Sequence, residues 1–288
     1  MTSVASVDFV RFQATDGVEL QGWLNNESGN KAVVHIHGMS GNGYENYFLD
    51  DLRQMYANQS VSLFTIDTRG RGIISDFKQG EGWKHAGSCF ELFEESINDI
   101  QGALNYLKSL GKTSFILQGH SLGCTKVVNY VITQNPADVE KVILLAPTDM
   151  TGWANTEPKH QDYLLKAKQL IAAGKGDELV DAQCWIDKTP ISAQTYPTIC
   201  EKGSSADIYG IRESGALLSK VALPMLIPYG SADIGITQID RSIEEWLERV
   251  NKIKNANTEV SVINGAAHSF SGFEGQLAEI IERFVVAK

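Results

Sequence analysis

The spacing of hydrophobic positions changes along the chain, and the change separates strands from helices. Residues 7 to 14 (VDFVRFQA) and 18 to 24 (VELQGWL) alternate apolar with polar, and Asp16-Gly17 between them is a hairpin signal. Short apolar runs rich in branched side chains follow: KAVVHIH (31 to 37), SVSLFTI (60 to 66), SFILQG (114 to 119), KVILLA (141 to 146), PMLIPYG (224 to 230) and EVSVI (259 to 263). Runs of this length suit strands buried on both faces. Between most of them the apolar residues recur every three or four positions. In FEESINDIQGALNYLKSL (93 to 110) these are Phe93, Ile97, Ile100, Leu104 and Leu107, one stripe of an amphipathic helix. Strand and helix alternate, which predicts an α/β protein with a mostly parallel eight-stranded sheet and helices on both faces.

The alternation fails once, between Pro147 and Pro224, a stretch too long for one connecting helix. It holds one clear helical pattern, KHQDYLLKAKQLIAAGK (159 to 175), and then turn-rich sequence with Pro190 and Pro197. The expected organisation is a core domain of residues 1–147 and 216–288, interrupted by a mainly helical cap insertion at 148–215. So long an excursion from a compact domain usually carries function.

Composition narrows the partners. The 288 residues are 43% hydrophobic, enough for a sizeable core, and 25 basic against 35 acidic residues give a net charge of -10. No Lys/Arg cluster marks a nucleic-acid or anionic-membrane surface, so neither partner is expected. The opening MTSVASVDFVRF has no basic segment leading into an apolar one, and no run of about 18 apolar residues occurs. A soluble cytoplasmic protein is the expectation. Cys89, Cys124, Cys184 and Cys200 form no CxxC pair and are read as free, buried thiols. His35 and His37 form an H-x-H, but no third ligand accompanies them and no metal is expected.

Chemistry enters at LQGHSLGC (117 to 124), where a serine sits between two glycines after one strand pattern and before the helical CTKVVNYVITQ. Strand, turn and helix are the context a G-x-S-x-G nucleophile elbow requires: the turn lifts the Ser121 hydroxyl above the sheet, and the glycines avoid collisions with neighbouring elements. The amide of Leu122, at the helix start, would then point to where a carbonyl oxygen gains negative charge. A serine needs a base, and the base an orienting acid. His268 in NGAAHSF follows the last strand pattern and Asp233 in YGSADIG the one before it. Singly, such residues are as readily a solvated histidine and a turn-stabilising aspartate. Together with Ser121 they fall in the order Ser, acid, His that accompanies this elbow. Asp149 in LAPTDM is the competing acid.

With His37-Gly38 after the third strand, DTRGRG (67 to 72) after the fourth and GHSLG after the fifth, the chain resembles the α/β-hydrolase family over essentially its whole length. The stretch from FELFEESINDI to LQGHSLG is similar to a group of bacterial and fungal hydrolases of the DUF1749 type. The resemblance implies that the Met39 amide, after the His-Gly pair, joins that of Leu122 in an oxyanion hole. It departs from the lipase HGGG form at Met39 and Ser40, which disfavours triacylglycerol lipase chemistry. Asp67 and Arg69 are read as turn anchors, and His120 as a packing or hydrogen-bonding residue.

The function expected is a serine hydrolase of the carboxylesterase type, with catalytic Ser121, Asp233 and His268, acting on carboxylic esters of short to medium acyl or aryl groups through an acyl-enzyme without any cofactor. A ligand-binding receptor or slow-turnover protein on the same scaffold stays open, as does an amidase or thioesterase with the same triad. Trp153, Trp185 and Tyr196 in the insertion are candidate substrate contacts; each is equally well a residue that packs the cap.

Overall fold

The computed structural model describes residues 6–184, 189–210 and 216–287. Strands β1 (Asp8–Gln13) and β2 (Glu19–Asn25) form the expected hairpin. After β3 (Lys31–Ile36) come α1 (Phe48–Asn58) and β4 (Ser62–Asp67), then a small hairpin of β5 (Ser75–Gln79) and β6 (Gly82–Ala86). Helix α2 (Ser96–Ser109), preceded by a 3-10 turn at Phe93–Glu95, leads to β7 (Ser114–His120), α3 (Leu122–Gln134) and β8 (Val139–Leu145).

The long stretch after β8 contains α4 (Met150–Ala154), α5 (His160–Ala172), β9 (Leu179–Asp181), β10 (Ile191–Ser192) and α6 (Thr195–Cys200). The chain ends with β11 (Met225–Gly230), α7 (Ile234–Thr237), α8 (Ile243–Ile253), β12 (Thr258–Ile263) and α9 (Glu274–Val286). The eight strands read from the sequence form one sheet in the order β1-β2-β4-β3-β7-β8-β11-β12. β1, β2 and β4 pair antiparallel and every other neighbour pair is parallel.

Successive side chains of the central strands feed two separate apolar layers, as a period of two demands. Ala32, Val34, Phe115, Leu117, Val142 and Leu144 face the layer of α2, α3 and α8, while Val33, Ile116 and Ile143 face that of α1 and α9. A third cluster joins Met150, Ala154, Tyr163, Tyr196 and Ile199 of the long stretch to Leu122 at the start of α3 and to Phe93. That stretch therefore rests on the ends of the strands where ligands meet open α/β sheets. The sequence pattern passes over the β5–β6 hairpin because SDFKQGEGWKHA is mostly polar, with Phe77 and Ala86 its only buried apolar side chains.

Candidate active site

The turn from β7 into α3 is drawn tight by two close backbone approaches. A Cβ at Gly119 would lie 2.5 Å from Cys124 N, and one at Gly123 would lie 2.2 Å from Ile36 O on β3. Only glycine fits either place. Between them Ser121 is held at φ 56° and ψ -123°, a conformation that non-glycine residues adopt at a cost of about 1–3 kcal/mol and that surrounding structure must impose. Its N–H donates to Leu145 O at 3.0 Å, and its carbonyl accepts from Cys124 N–H at 3.0 Å. Of the non-glycine residues in this turn, Ser121, which carries the hydroxyl, is the one at positive φ.

Asp233 and His268 arrive from the ends of β11 and β12. The Asp233 carboxylate is fully buried: Oδ1 accepts from Gly235 N–H at 2.7 Å and Oδ2 accepts from His268 Nδ1–H at 2.7 Å. With Nδ1 engaged, the histidine's remaining nitrogen is the one available for proton transfer. His120, inside the elbow, donates from Nε2 to His268 O at 2.9 Å and so holds that loop. Burial, helped by the neighbouring His268, pushes the His120 pKa down to about 3, so it stays a neutral donor. Asp149, the alternative acid, is committed elsewhere. It caps α4 through Gly152 N–H at 2.8 Å and receives Arg249 at 2.6 Å.

The third strand end supplies the wall opposite the elbow. Gly38 is so close that a Cβ there would lie 3.0 Å from Ser121 Cβ, which places the Gly38–Met39 peptide beside the serine. Among the described residues, neither Met39 N–H nor Leu122 N–H is taken by a protein acceptor. Both nitrogens of His37 are engaged, with Gly38 O and with Thr68, while His35 Nδ1 meets Gln118 Nε2 at 2.8 Å. Among the described residues no group of three or more His, Cys, Asp or Glu side chains could hold a metal ion. Arg69 is fully buried against Asp99, Asp16 and Glu95, and Asp67 accepts Gly43 N–H at 2.9 Å, so DTRGRG fastens the loop after β4.

A pocket of about 290 Å³ brings Ser121, Asp233, His268 and Met39 together with Trp153. Tyr196, by contrast, is not among its lining residues. It is fully buried in the cluster above, hydrogen-bonded to His160 Nδ1 at 2.9 Å and packed edge-on against Tyr163, because a phenol between helices α5 and α6 finds its polar partner there. Trp185 lies outside the described residues. The sequence reading passed over Thr148, whose hydroxyl is 3.1 Å from Ser121 Oγ, and Glu45 and Asn46, which also line the pocket. Thr148 had a usable signal, a polar residue straight after the apolar end of β8. Glu45 and Asn46 sit in a loop without periodicity and had none.

Residues 86–287 match the family described as Protein of unknown function (DUF1749). No curated protein sequence matches the chain. Among solved structures the chain is similar to Est1E from Butyrivibrio proteoclasticus with ferulic acid bound, at 17% identity and a TM-score of 0.68 over 96% of this chain and 97% of that one. It is similar also to the α/β hydrolase GrgF from Penicillium sp. sh18 (17% identity, TM-score 0.66, 97% and 96% covered). The siderophore hydrolase EstB from Aspergillus fumigatus gives 16% identity and a TM-score of 0.63, with 98% and 97% covered. At these identities the likeness is one of fold. Sheet order, elbow and family match converge: the chain has the α/β-hydrolase fold and belongs to the DUF1749 family.

Proposed function

We propose that this chain is a serine hydrolase that cleaves carboxylic esters of short to medium acyl or aryl groups through an acyl-enzyme. The observation that carries the reading is the buried Asp233 carboxylate bonded at 2.7 Å to His268 in the pocket that also exposes the strained Ser121. Ser121 Oγ attacks the acyl carbon and passes its proton to His268, whose imidazolium Asp233 stabilises. The carbonyl oxygen, now an anion, is held by the Met39 and Leu122 N–H groups. His268 returns the proton to the departing alkoxide; water, deprotonated by the same histidine, then adds to the acyl carbon, the bond to Ser121 Oγ breaks, and His268 returns the proton to that oxygen as the acid leaves. No step calls for a cofactor.

The substrate class follows from the walls. Among the described residues the lining includes the carboxylates of Glu45 and Asp233 but no Lys or Arg, and lost hydration raises the Glu45 pKa. A neutral or cationic small ester suits that surface, and a polyanion such as an acyl-CoA does not. Ferulic acid, bound in the Est1E structure from Butyrivibrio proteoclasticus, is an aryl acid of the size intended. We assign residues 148–215 to a substrate-selecting cap on a core of residues 1–147 and 216–288. Among the described residues no helix is long and apolar enough to cross a membrane; a cytoplasmic location is part of the proposal.

One observation favours the slow-turnover or receptor alternative: among the described residues the hydrogen bond of Ser121 Oγ is to Thr148, not to His268. Catalytic hydrogen bonds often tighten only when substrate binds, so turnover decides. A fluorophosphonate probe should label wild type and not Ser121→Ala, and a panel of aryl and alkyl esters should be turned over. Labelling without turnover on that panel would favour the receptor, and no labelling at all would defeat the nucleophile assignment.

A further inference from the structure

The peptide bearing one of the two proposed oxyanion donors is held from its other end. A trans peptide points C=O and N–H in opposite directions, so whatever fixes the Gly38 carbonyl also aims the Met39 N–H. His37 Nδ1 lies 2.7 Å from Gly38 O and must be the protonated nitrogen, because a carbonyl only accepts. Nε2 is then an acceptor. It takes Thr68 N–H at 3.0 Å and lies 3.1 Å from Thr68 Oγ1, from which a ring nitrogen without a proton can only accept. The oxygen of that hydroxyl accepts from Lys126 Nζ, 3.4 Å away, and from Gly70 N–H at 3.3 Å. Lys126 pairs with Glu91 at 2.6 Å, both side chains fully buried. Donation therefore runs one way, from the Lys126 ammonium through the Thr68 hydroxyl and the His37 ring to the Gly38 carbonyl.

Two features set this network apart from ordinary packing. Burying an ion pair costs desolvation that apolar side chains of the same size would avoid, so stability alone is a weak reason for it. Glu91 keeps one oxygen, Oε1, buried without a partner, and a Cβ at Gly70 would lie 2.4 Å from its carboxylate. The second feature is placement. Lys126 sits on α3, whose first residue is Leu122, so both oxyanion amides hang from one framework. Burial, reinforced by the Lys126 charge, pushes the His37 pKa down to about 3, and the ring keeps its accepting nitrogen over the range in which esters are hydrolysed.

We propose that His37, Thr68 and the Lys126–Glu91 pair form a positioning relay that aims the Met39 N–H at the developing oxyanion; this deepens the hydrolase reading and rests on it. K126M alone strands a buried carboxylate and should fold poorly. The working variants are T68V, which removes only the hydroxyl link, T68S, which restores it, and K126M/E91M, which replaces the pair with apolar side chains. Each is measured for ester kcat and KM, for affinity toward an aryl trifluoromethyl ketone that forms a tetrahedral oxyanion on Ser121, and for thermal midpoint. In T68V and the double variant kcat should fall ~10–100-fold, below the full loss of an oxyanion donor. Ketone affinity should fall in the same ratio, with KM little changed, and T68S should stay near wild type.

A T68V or double variant that is folded and keeps wild-type kcat and ketone affinity overturns the relay, as does a T68V loss that T68S shares. Those results leave the hydrolase reading intact provided wild type labels with fluorophosphonate and turns over. A wild type that does neither overturns both.

Discussion

The strand ends and the segment laid over them meet at one pocket, yet they are built by opposite means. At the strand ends, position is set by backbone: Gly119, Gly123 and Gly38 remove side chains where chains nearly touch, and Ser121 is forced to φ 56°. The covering stretch consists of short helices and a two-stranded ribbon gathered around Tyr163, Tyr196 and Ile199, held by side-chain packing. Backbone constraint fixes a reacting atom to a fraction of an ångström; side-chain packing tolerates substitution and lets a wall change shape. The proposed function assigns chemistry to the first region and selection to the second, and each part of that division can be tested separately.

The largest expected effect lies at the strand ends. Ser121→Ala or His268→Ala should lower kcat by roughly four to six orders of magnitude and Asp233→Asn by roughly four, with strong non-additivity when combined. None should move the thermal midpoint far. Asp149→Asn is the control, because Asp149 holds Arg249 at 2.6 Å and caps α4. It should lose stability and keep the pH profile of wild type. Near-full activity in Asp233→Asn, with collapse in Asp149→Asn, would reverse the assignment of the acid.

The same contrast explains what the sequence disclosed. Gly119-x-Ser121-x-Gly123 is legible because each glycine answers a steric demand that no other residue meets, and Asp233 and His268 because both follow an apolar run at a strand's carboxyl end. The inner strands of the sheet were legible because two-sided burial leaves unbroken apolar runs, and β1 and β2 because they alternate. Little of the covering stretch was. Helix α5 carries a periodic stripe, but α4, α6, β9 and β10 run from two to six residues, too short for any period to register. Tyr196 and Trp153 look alike in sequence, and only packing sends one inward and the other to the pocket. The Lys126–Glu91 pair was invisible for another reason: a lysine on an amphipathic helix reads as solvated until the fold closes over it.

A second test concerns the polar residues buried beneath the strand ends. His37 and His120 have pKa values near 3 in the folded chain because burial penalises the charged ring, and burial likewise depresses His35. In the unfolded chain a histidine titrates near 6.5. The folded state thus binds fewer protons below that value, and stability present above about pH 6.5 is lost as the pH falls toward the folded values. At pH 5 the loss amounts to roughly 2 kcal/mol for each of His37 and His120. Asp99 and Asp149, raised by burial, act in the opposite sense, so the histidine share is taken from the difference between wild type and His120→Gln over the window pH 5 to 6.5. Denaturant midpoints should fall steadily across it, and His120→Gln should shed its share of the slope. A slope that His120→Gln leaves unchanged would mean that this ring is not buried neutral.

The smallest effect is expected where selection is assigned, and it separates the two aromatic residues. Trp153 is half-buried and lines the pocket with Ser121 and His268, whereas Tyr196 is fully buried behind it on His160. Trp153→Ala removes wall area that an acyl or aryl group would cover. At ~25 cal/mol per Å², losing a few tens of Å² of contact changes kcat/KM for the substrates that use it about three- to tenfold. Short acyl esters that never reach the indole should be unaffected, so the signature is a changed ratio between long or aryl and short esters at constant kcat for the short ones. Tyr196→Phe should do the reverse, costing ~1 kcal/mol of stability through the lost hydrogen bond and leaving the ester ratios alone. Removing residues 153–205 outright is a poorer test, since it would uncover Leu122 and Phe93, which pack against Met150, Tyr163 and Tyr196. If Trp153→Ala leaves every ratio unchanged while Tyr196→Phe shifts them, the pocket wall is set by packing deep in the cap, and the division between the two regions fails.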